Sequence, residues 1–388
     1  MSKKTLTPVP SAAEVPAART SAAAACAAVT LMAVMALGVW QVFAAVRSGL
    51  EFPQSFSDFR EGRMTTAIEK QIDQKLPARS LLIAVANSLR YKLTQGAGEQ
   101  VRLGQHGWLF LTDELRYYPD ADASQAARIA LLAKTAKLLE AKGIKLLVAL
   151  VPDKARIYPQ YLEAGHLPRY TDGRYAQALA ALRANGVLTS DLTAPLTENA
   201  AISSHYYRTD THWNNVGAQL AAQAIAATLK SANSAENRVL EATSFATQPT
   251  GPLAERPGDL LKLMGLSDVP NFWRPRPDHE APVATQQTSE DQGGGGLLGD
   301  TTAMPVTLVG TSYSLRGNFH GYLQQALSAK VLNTAKDGGS FLQAATEYFK
   351  DEAFKTAKPQ VVVWELPERF LSAPLTDEAE WLAQVGLK

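Results

Sequence analysis

The sequence is poor in cysteine and has no excess of charge of either sign. Cys26 is the only cysteine among 388 residues, so the chain can form no internal disulfide and no cysteine-rich metal site. The 38 lysines and arginines nearly balance the 37 aspartates and glutamates, which leaves no strong field for a polyanion. We therefore expect no nucleic-acid partner.

Signals for a metal ion or a bound cofactor are also missing. The histidines show no ligand spacing, so we predict no metal site. The glycine run QGGGG at 292–296 lacks the lysine and helix that follow a phosphate-binding loop. The sequence accordingly gives no reason to expect a cofactor.

Long apolar runs are absent except near the start of the chain. Residues 20–46 carry no ionisable side chain other than a thiol, and Lys3, Lys4 and Arg19 precede them. A helix of about 25 residues at about 1.5 Å per residue exceeds the hydrocarbon core of about 30 Å. The pattern predicts a transmembrane signal anchor at 20–46, in the inner membrane, with a disordered cytoplasmic tail at 1–19. The alternative is a signal peptide that is cleaved after Ala44.

Beyond the anchor, apolar stretches alternate with amphipathic ones. This alternation is typical of an α/β fold, with a parallel central sheet covered by helices on both faces, and we expect one domain over 50–388. Residues 231–304 show little pattern and are interpreted as an excursion at the edge of the site. Helices are predicted at 55–93 (with a break at Pro77), 125–143, 174–186, 214–230, 318–327 and near 340–355, and strands within 104–118 and at 144–152, 187–192, 305–310, 330–334 and 359–366.

The stretch VTLVGTSYS at 306–314 offers a nucleophile. A buried strand ends at Gly310, and Ser312 follows in a turn before a helix, at the edge of the sheet where α/β folds bind ligands. Amides at the start of that helix could stabilise an oxyanion. The alternative is that Ser312 or Ser314 only caps the helix.

The stretch TDTHWNN at 209–215 supplies a base and an acid. A serine nucleophile needs an imidazole to take its proton, and the imidazole needs a carboxylate to fix its tautomer. In an extended chain, Asp210 and His212 would lie on one side, within reach of each other. The alternative is that Asp210 caps the helix beginning near Asn214.

Five motifs together resemble the alginate O-acetyltransferase family with an SGNH-hydrolase-like domain. The resemblance implies a three-layer sandwich and makes Asp210, His212 and Ser312 the catalytic triad, in that chain order. It is nearest to the membrane-anchored branch, which lacks a C-terminal carbohydrate-binding module, so we expect no such module. The motifs are GQHGWLFL (104–111), LVPDKARIYP (150–159), TDTHWNNVGA (209–218), VGTSYS (309–314) and WELPERFL (364–371).

The family's activity gives an expectation for this chain. The resemblance implies an O-acetyltransferase in the periplasm, which moves an acetyl group through an acetyl-serine onto hydroxyls of an exopolysaccharide such as alginate or cellulose. It also implies a membrane-bound O-acyltransferase as the partner that donates acetyl. Two alternatives stay open: a polysaccharide deacetylase or esterase with the same triad, and a non-catalytic scaffold of a secretion complex.

Four further side chains are candidates for substrate binding: Tyr313, Arg316, Asn318 and Arg369. The first three follow Ser312 closely, and Arg369 follows a predicted strand end at the same edge of the sheet. Arg369 could bind a uronate, and a structural ion pair with a nearby glutamate is the alternative. Trp108 and Trp213 could stack on sugars, with a place in the core as the alternative.

Overall fold

We describe a computed structural model of the chain. It describes residues 79–235, 240, 242–288, 304–356, 358–376 and 378–387, together with a few single positions and short runs between 29 and 60. The chain divides into two units, Met1–Ala86 and Asn87–Lys388. The predicted tail at 1–19, much of the predicted anchor at 20–46 and most of the predicted helix before Arg79 lie outside the described residues. Within the described residues, no helix combines the length and apolarity needed to cross a bilayer.

Helices and strands alternate along the described chain, as the sequence predicts. The strands are β1 (Val101–Leu103), β2 (Leu109–Leu111), β3 (Lys145–Val151), β4 (Leu188–Thr189), β5 (Phe245–Pro249), β6 (Ala254–Arg256), β7 (Asp278–Glu280), β8 (Val283–Gln287), β9 (Val306–Val309), β10 (Val331–Asn333) and β11 (Val361–Pro367). The α-helices are α1 (Arg79–Thr94), α2 (Ala121–Glu140), α3 (Lys154–Ile157), α4 (Arg169–Asp172), α5 (Arg174–Ala184), α6 (Thr193–Thr197), α7 (Asn215–Ala235), α8 (Asp259–Leu263), α9 (Phe319–Leu327), α10 (Gln343–Lys350), α11 (Glu352–Thr356), α12 (Arg369–Ser372) and α13 (Trp381–Gln384).

A five-stranded parallel sheet forms the centre of the second unit. Its strand order is β10-β9-β11-β3-β4, and every neighbouring pair is parallel. The two longest strands, β3 and β11, lie side by side and are almost completely buried. They are apolar apart from Lys145 at the start of β3 and the buried Glu365 of β11. Since parallel strands end at the same edge, the carboxyl ends of β9, β11 and β3 meet there.

Alternate residues of the strands build two separate cores. Leu147, Ala149 and Val151 of β3 point into one core, which includes residues of α7 and α9. Leu146, Val148 and Leu150 point into the other, which includes residues of α2, α5 and α10. This period of two is the pleat of a strand buried on both faces, and it produces the three layers expected from the sequence.

Two regions differ from the prediction. The strand predicted within 104–118 is β2, and it pairs with β1 in a separate antiparallel hairpin that packs against α8. The excursion was predicted over 231–304, but its first residues belong to α7, which ends at Ala235. From here on, the excursion means residues 242–288, which carry two more antiparallel pairs, β5 with β8 and β6 with β7. These short strands are only partly buried, so they lack the long apolar signal by which the central strands were predicted.

Candidate active site

Asp210, His212 and Ser312 form one line of hydrogen bonds at the carboxyl edge of the sheet. Nδ1 of His212 lies 2.6 Å from Oδ1 of Asp210, and Nε2 of His212 lies 2.7 Å from Oγ of Ser312. Asp210 and His212 are buried, whereas Ser312 is partly exposed. The two motifs are 100 residues apart in the chain, so the fold alone brings them together.

Asp210 is held by backbone groups as well as by the imidazole. Residues 208–212 form a bend instead of the extended segment expected, and the amide of His212 donates to Oδ1 of Asp210 at 3.0 Å. Burial by itself would raise the pKa of Asp210, but the hydrogen bonds and charge of His212 outweigh it and lower that pKa well below its ordinary value. Asp210 does not cap α7: that helix starts at Asn215, and Oδ1 of Asn214 accepts from the amide of Gly217 at 2.9 Å.

We call residues 205–214 the His212 loop, and a buried lysine supports it from the sheet side. Nζ of Lys154 donates to the carbonyl oxygens of Tyr207, Arg208 and Asp210, at 3.2, 3.3 and 2.6 Å. Lys154 follows the end of β3, which brings an ammonium group to the edge of the sheet. It therefore neutralises carbonyl dipoles that would otherwise be buried without partners.

The excursion closes over the other side of the His212 loop. Asp278 accepts hydrogen bonds from the amides of Arg208 and Thr209, at 3.1 and 3.0 Å. Asp259 accepts from the amide of Thr211 at 2.7 Å, and its own amide donates to Oδ2 of Asp210 at 3.1 Å. Gly258 allows this close approach, because a Cβ there would lie 2.0 Å from the carbonyl oxygen of Thr209.

We call residues 310–315 the serine turn, and Glu365 of β11 lies beneath it. One carboxylate oxygen of Glu365 accepts from the amide of Thr311 at 2.7 Å and from Oγ of Ser314 at 2.9 Å. Burial raises the pKa of Glu365. At Gly310 a Cβ would lie 2.4 Å from Oγ of Ser314, so only glycine fits between the strand and the turn.

The segment after Ser312 differs from the predicted helix. Ser312–Leu315 is a single 3-10 turn capped by Thr311, and α9 begins only at Phe319 after Asn318. The oxyanion argument based on a helix start therefore does not apply to Ser312. Neither Ser312 nor Ser314 caps α9, so that alternative is also wrong.

The four candidate substrate-binding side chains lie around the serine turn, and each has a partner within the protein. Tyr313 is fully buried, with its hydroxyl donating to the carbonyl of Thr211 at 2.9 Å. Arg369 forms an ion pair with Asp153 at 3.3 Å, which is the structural alternative raised from the sequence, with an aspartate in place of the glutamate. Asn318 donates to Oγ1 of Thr285 at 2.8 Å, and Arg316 forms an ion pair with Asp337 at 2.9 Å. Arg316 and Asn318 keep part of their surface exposed, and the binding roles stay predictions. The tryptophans Trp108 and Trp213 are buried in the core.

Three potential metal ligands lie together beside Ser312, which sequence spacing did not reveal. Asp210, His212 and Asp259 each offer one ligand atom, and these atoms lie within 4.8 Å of one another. The 2.6 Å contact between Nδ1 of His212 and Asp210 is a hydrogen-bond distance, and Asp259 lies farther away, at 3.7 Å from the same nitrogen. The geometry fits an oriented imidazole better than a metal ion held at about 2.0–2.2 Å from each ligand.

The sequence of the chain matches a known protein family. The family described as SGNH hydrolase-like domain, acetyltransferase AlgX, matches residues 101–368. The chain belongs to this family. The resemblance predicted from the motifs and the SGNH-like α/β fold are thereby confirmed.

Members of the SGNH-like acetyltransferase family in Pseudomonas are similar over most of their length. The probable alginate O-acetylase AlgJ of Pseudomonas aeruginosa is 33% identical over 84% of each chain, and that of Pseudomonas putida is 35% identical over 84% of each chain. The solved O-acetyltransferase domain of Pseudomonas putida AlgJ shares 34% identity and a TM-score of 0.63, covering 74% of this chain and 99% of that one.

Sequence reasoning missed several residues that shape the site. Asp259 and Asp278 lie in the excursion, where no periodic pattern singles them out. Glu365 and Lys154 were not among the predicted site residues either. For Glu365 the available signal was the apolar sequence on both sides of it in β11, since a charge inside a buried strand needs a partner at the site it faces.

Proposed function

We propose that this protein is an O-acetyltransferase that acts on the hydroxyls of an exopolysaccharide through an acetyl group carried on Ser312. The line of hydrogen bonds from Asp210 through His212 to Ser312 carries the proposal. Alginate is the polymer in the names of the relatives, and we propose it as the acceptor for this chain too.

The geometry assigns each triad member a step. The Nδ1–H of His212 donates to Asp210, so Nε2 is free to accept the proton of Ser312 as its oxygen attacks the acetyl carbonyl. The imidazolium then returns this proton to the donor's leaving group, which leaves acetyl-Ser312 and a neutral imidazole. In the second half, Nε2 takes the proton of a sugar hydroxyl as that oxygen attacks the acetyl-serine, and returns it to Oγ of Ser312.

A backbone amide is available for the oxyanion that forms in both halves. The amides of Thr311 and Ser314 are engaged, with Glu365 and with the carbonyl of Thr311. Among the described residues, the amide of Ser312 has no such acceptor. We propose that it donates to the tetrahedral oxyanion.

The acetyl donor and the location are further parts of the proposal. We propose a membrane-bound O-acyltransferase as the partner that delivers acetyl, with the catalytic domain in the periplasm and the segment at 20–46 as an inner-membrane anchor. The charge-free run at 20–46 and the basic residues before it support this placement. Tethering would keep Ser312 near a donor that works within the membrane.

The test compares two serines on one turn. The purified full-length protein is given p-nitrophenyl acetate and a mannuronate oligosaccharide, and mass spectrometry follows acetylated sugar and acetylated protein. Ser312→Ala should lose about 10⁴–10⁶-fold in turnover and never form the acetyl-enzyme. Ser314→Ala removes a neighbouring hydroxyl that faces Glu365, and it should still form the acetyl-enzyme.

Three outcomes would contradict the proposal. Transfer by Ser312→Ala at the wild-type rate would remove the serine from the mechanism. Free acetate without acetylated sugar, at every acceptor length and with the membrane partner present, would indicate an esterase. A wild-type protein that never becomes acetylated would favour a scaffold.

A further inference from the structure

Two tyrosines stand exposed beside the carboxyl edge of the sheet. Tyr117 is 62% exposed and Tyr170 is 51% exposed, and their ring centroids lie 5.3 Å apart in an edge-to-face arrangement. The hydroxyl of Tyr170 donates to the carbonyl of Leu115 at 2.7 Å, which fixes its ring. A rigid, exposed aromatic pair is an amphipathic surface that lacks a partner within the described residues.

The pair forms the shared wall of two depressions. One has a volume of about 280 Å³ and runs between the start of α2 and the helices α4 and α5. The other is more open, with a volume of about 570 Å³, and lies against the hairpin of β1 and β2. Arg116, Tyr117 and Tyr170 line both, so the two depressions adjoin, and we call the two together the tyrosine groove.

Exposed arginines border the tyrosine groove. Within the described chain, Arg102 and Arg169 have no ion-pair partner, while Arg116 pairs with Asp113 at 2.9 Å. Both side chains of that pair are half exposed, so exchanging Asp113 for another carboxylate costs little. Two carboxylates, Glu99 and Asp122, also line the groove. With Asp113 counted, three carboxylates accompany the three exposed arginines. Arg102 and Arg169 have no ion-pair partner among the described residues, so their guanidinium groups favour a ligand with spaced negative charges over a neutral one.

Buried ion pairs connect the groove with the serine turn. Arg174 lines the groove and contacts Asp153 at 2.7 Å. Asp153 also pairs with Arg369, whose guanidinium lies 5.8 Å from the ring centroid of Tyr313, the residue after Ser312. The groove and the nucleophile are thus held by one rigid cluster at the same edge of the sheet.

We propose that the tyrosine groove binds uronate units of the acceptor chain at a distance from the sugar being acetylated. This inference rests on the proposed function. The rings of Tyr117 and Tyr170 would pack on the apolar faces of the pyranoses, and Arg102, Arg116 and Arg169 would pair with the carboxylates. A chain held there presents successive hydroxyls to Ser312, and its binding energy is available only to long acceptors.

The experiment measures binding separately from catalysis. Mannuronate oligomers of two and of ten units, and neutral cello-oligomers, are titrated by calorimetry into the full-length Ser312→Ala protein with and without Tyr117→Ala and Tyr170→Ala. The double tyrosine change should weaken binding of the long uronate by about tenfold. Arg102→Gln with Arg169→Gln should weaken it similarly at low salt, and the difference should shrink at high salt because exposed pairs are screened.

Matched controls lie away from the groove. Phe272→Ala removes another exposed aromatic ring, and Arg183→Gln removes an arginine beside Lys145, where β3 begins at the opposite edge of the sheet. Both controls should bind the long uronate as the parent Ser312→Ala protein does.

Two results would overturn the proposal. One is equal binding of the long uronate by the parent and the double tyrosine variant, and the other is equal affinity of the parent for neutral and acidic oligomers. If the wild-type chain binds the uronate but transfers no acetyl group, the result would support the groove and contradict the proposed function.

Discussion

The indole nitrogen of Trp213 donates a hydrogen bond to the backbone carbonyl of Tyr313 at 3.1 Å. Trp213 follows His212, and Tyr313 follows Ser312, so this bond joins the two halves of the proposed triad, one residue away from His212 and Ser312. The ring of Trp213 also packs edge-to-face on Tyr313, with centroids 5.0 Å apart. The proposed base and the proposed nucleophile are therefore held together by neighbours that have no part in the proposed proton transfer.

Trp213→Phe should lower activity through geometry. The ring packing is largely kept, but the carbonyl of Tyr313 loses the indole donor and keeps only the amide of Arg316 at 3.4 Å. This loss should cost about 1 kcal/mol of the free energy of unfolding. Trp381→Phe is the matched control, because its indole donates to Oγ1 of Thr346 at 2.7 Å in the core on the other face of the sheet. Both variants should unfold at lower temperature, and only Trp213→Phe should lower kcat. Equal kcat in the two variants would contradict a positioning role.

Asp210→Asn should reduce kcat by about 10⁴-fold, because an amide neither fixes the Nδ1–H tautomer of His212 nor stabilises its charged form.

The same Asp210→Asn variant tests how the stability of the protein depends on pH. The pKa of Asp210 is lowered by folding, so its contribution is fully present above the ordinary carboxyl value of about 3.9 and is lost as pH falls towards the folded pKa. Denaturant unfolding should show that wild type is more stable than Asp210→Asn at pH 6. This difference in the free energy of unfolding should be smaller at pH 3. A difference that grows at pH 3 would reverse the sign of this argument.

Glu365 should act as a positioning residue for the serine turn. Glu365→Ala leaves the buried amide of Thr311 without an acceptor, at a cost of about 1–3 kcal/mol, and loosens the turn. Glu365→Gln keeps an acceptor for that amide and should restore part of kcat. The measurement is kcat and KM for a small acetyl ester in both variants. A purely structural role would lower stability in Glu365→Ala without this partial rescue of kcat.

Glu114 should make the protein less stable as pH rises. Burial, aided by the charge of Asp153, raises the pKa of Glu114 to about 8, and among the described residues Oε1 of Glu114 accepts no hydrogen bond. The folded state then keeps a proton that the unfolded chain loses above about 4.3, so stability declines between that pH and about 8. Glu114→Gln should flatten this decline in melting temperature, whereas the exposed Glu163→Gln should not. An unchanged slope in Glu114→Gln would contradict the assignment.

The central sheet was predictable because a strand that is buried on both faces appears in the sequence as a continuous apolar run. The apolar run at 144–152 became β3 and the run at 359–366 became β11, each within two residues. The edge strand β4 is only Leu188–Thr189 although 187–192 was predicted, since an edge strand has one neighbour to set its length. The helix predicted near 340–355 is broken at Asp351, whose extended backbone separates α10 from α11.

The site was predictable where it depends on side chains and not where it depends on backbone groups. Asp210, His212 and Ser312 were selected by type and order, and the structure places them in hydrogen-bond contact. Asp259 acts on the site through the amides of Thr211 and of its own residue. Every residue but proline offers an amide, so such contacts leave no pattern in the sequence.

The separation of His212 and Ser312 by 100 residues makes activity a measure of completed folding. Closing a loop of that size costs conformational entropy, which the packing of the sheet and its helices repays. A partly folded chain carries Asp210, His212 and Ser312, yet its Ser312 would be an ordinary, weakly reactive hydroxyl. Acetyl groups should therefore be accepted only by molecules whose β9 and β11 are already joined, and hydrolysis of a small ester during refolding should appear with the last phase of tertiary structure.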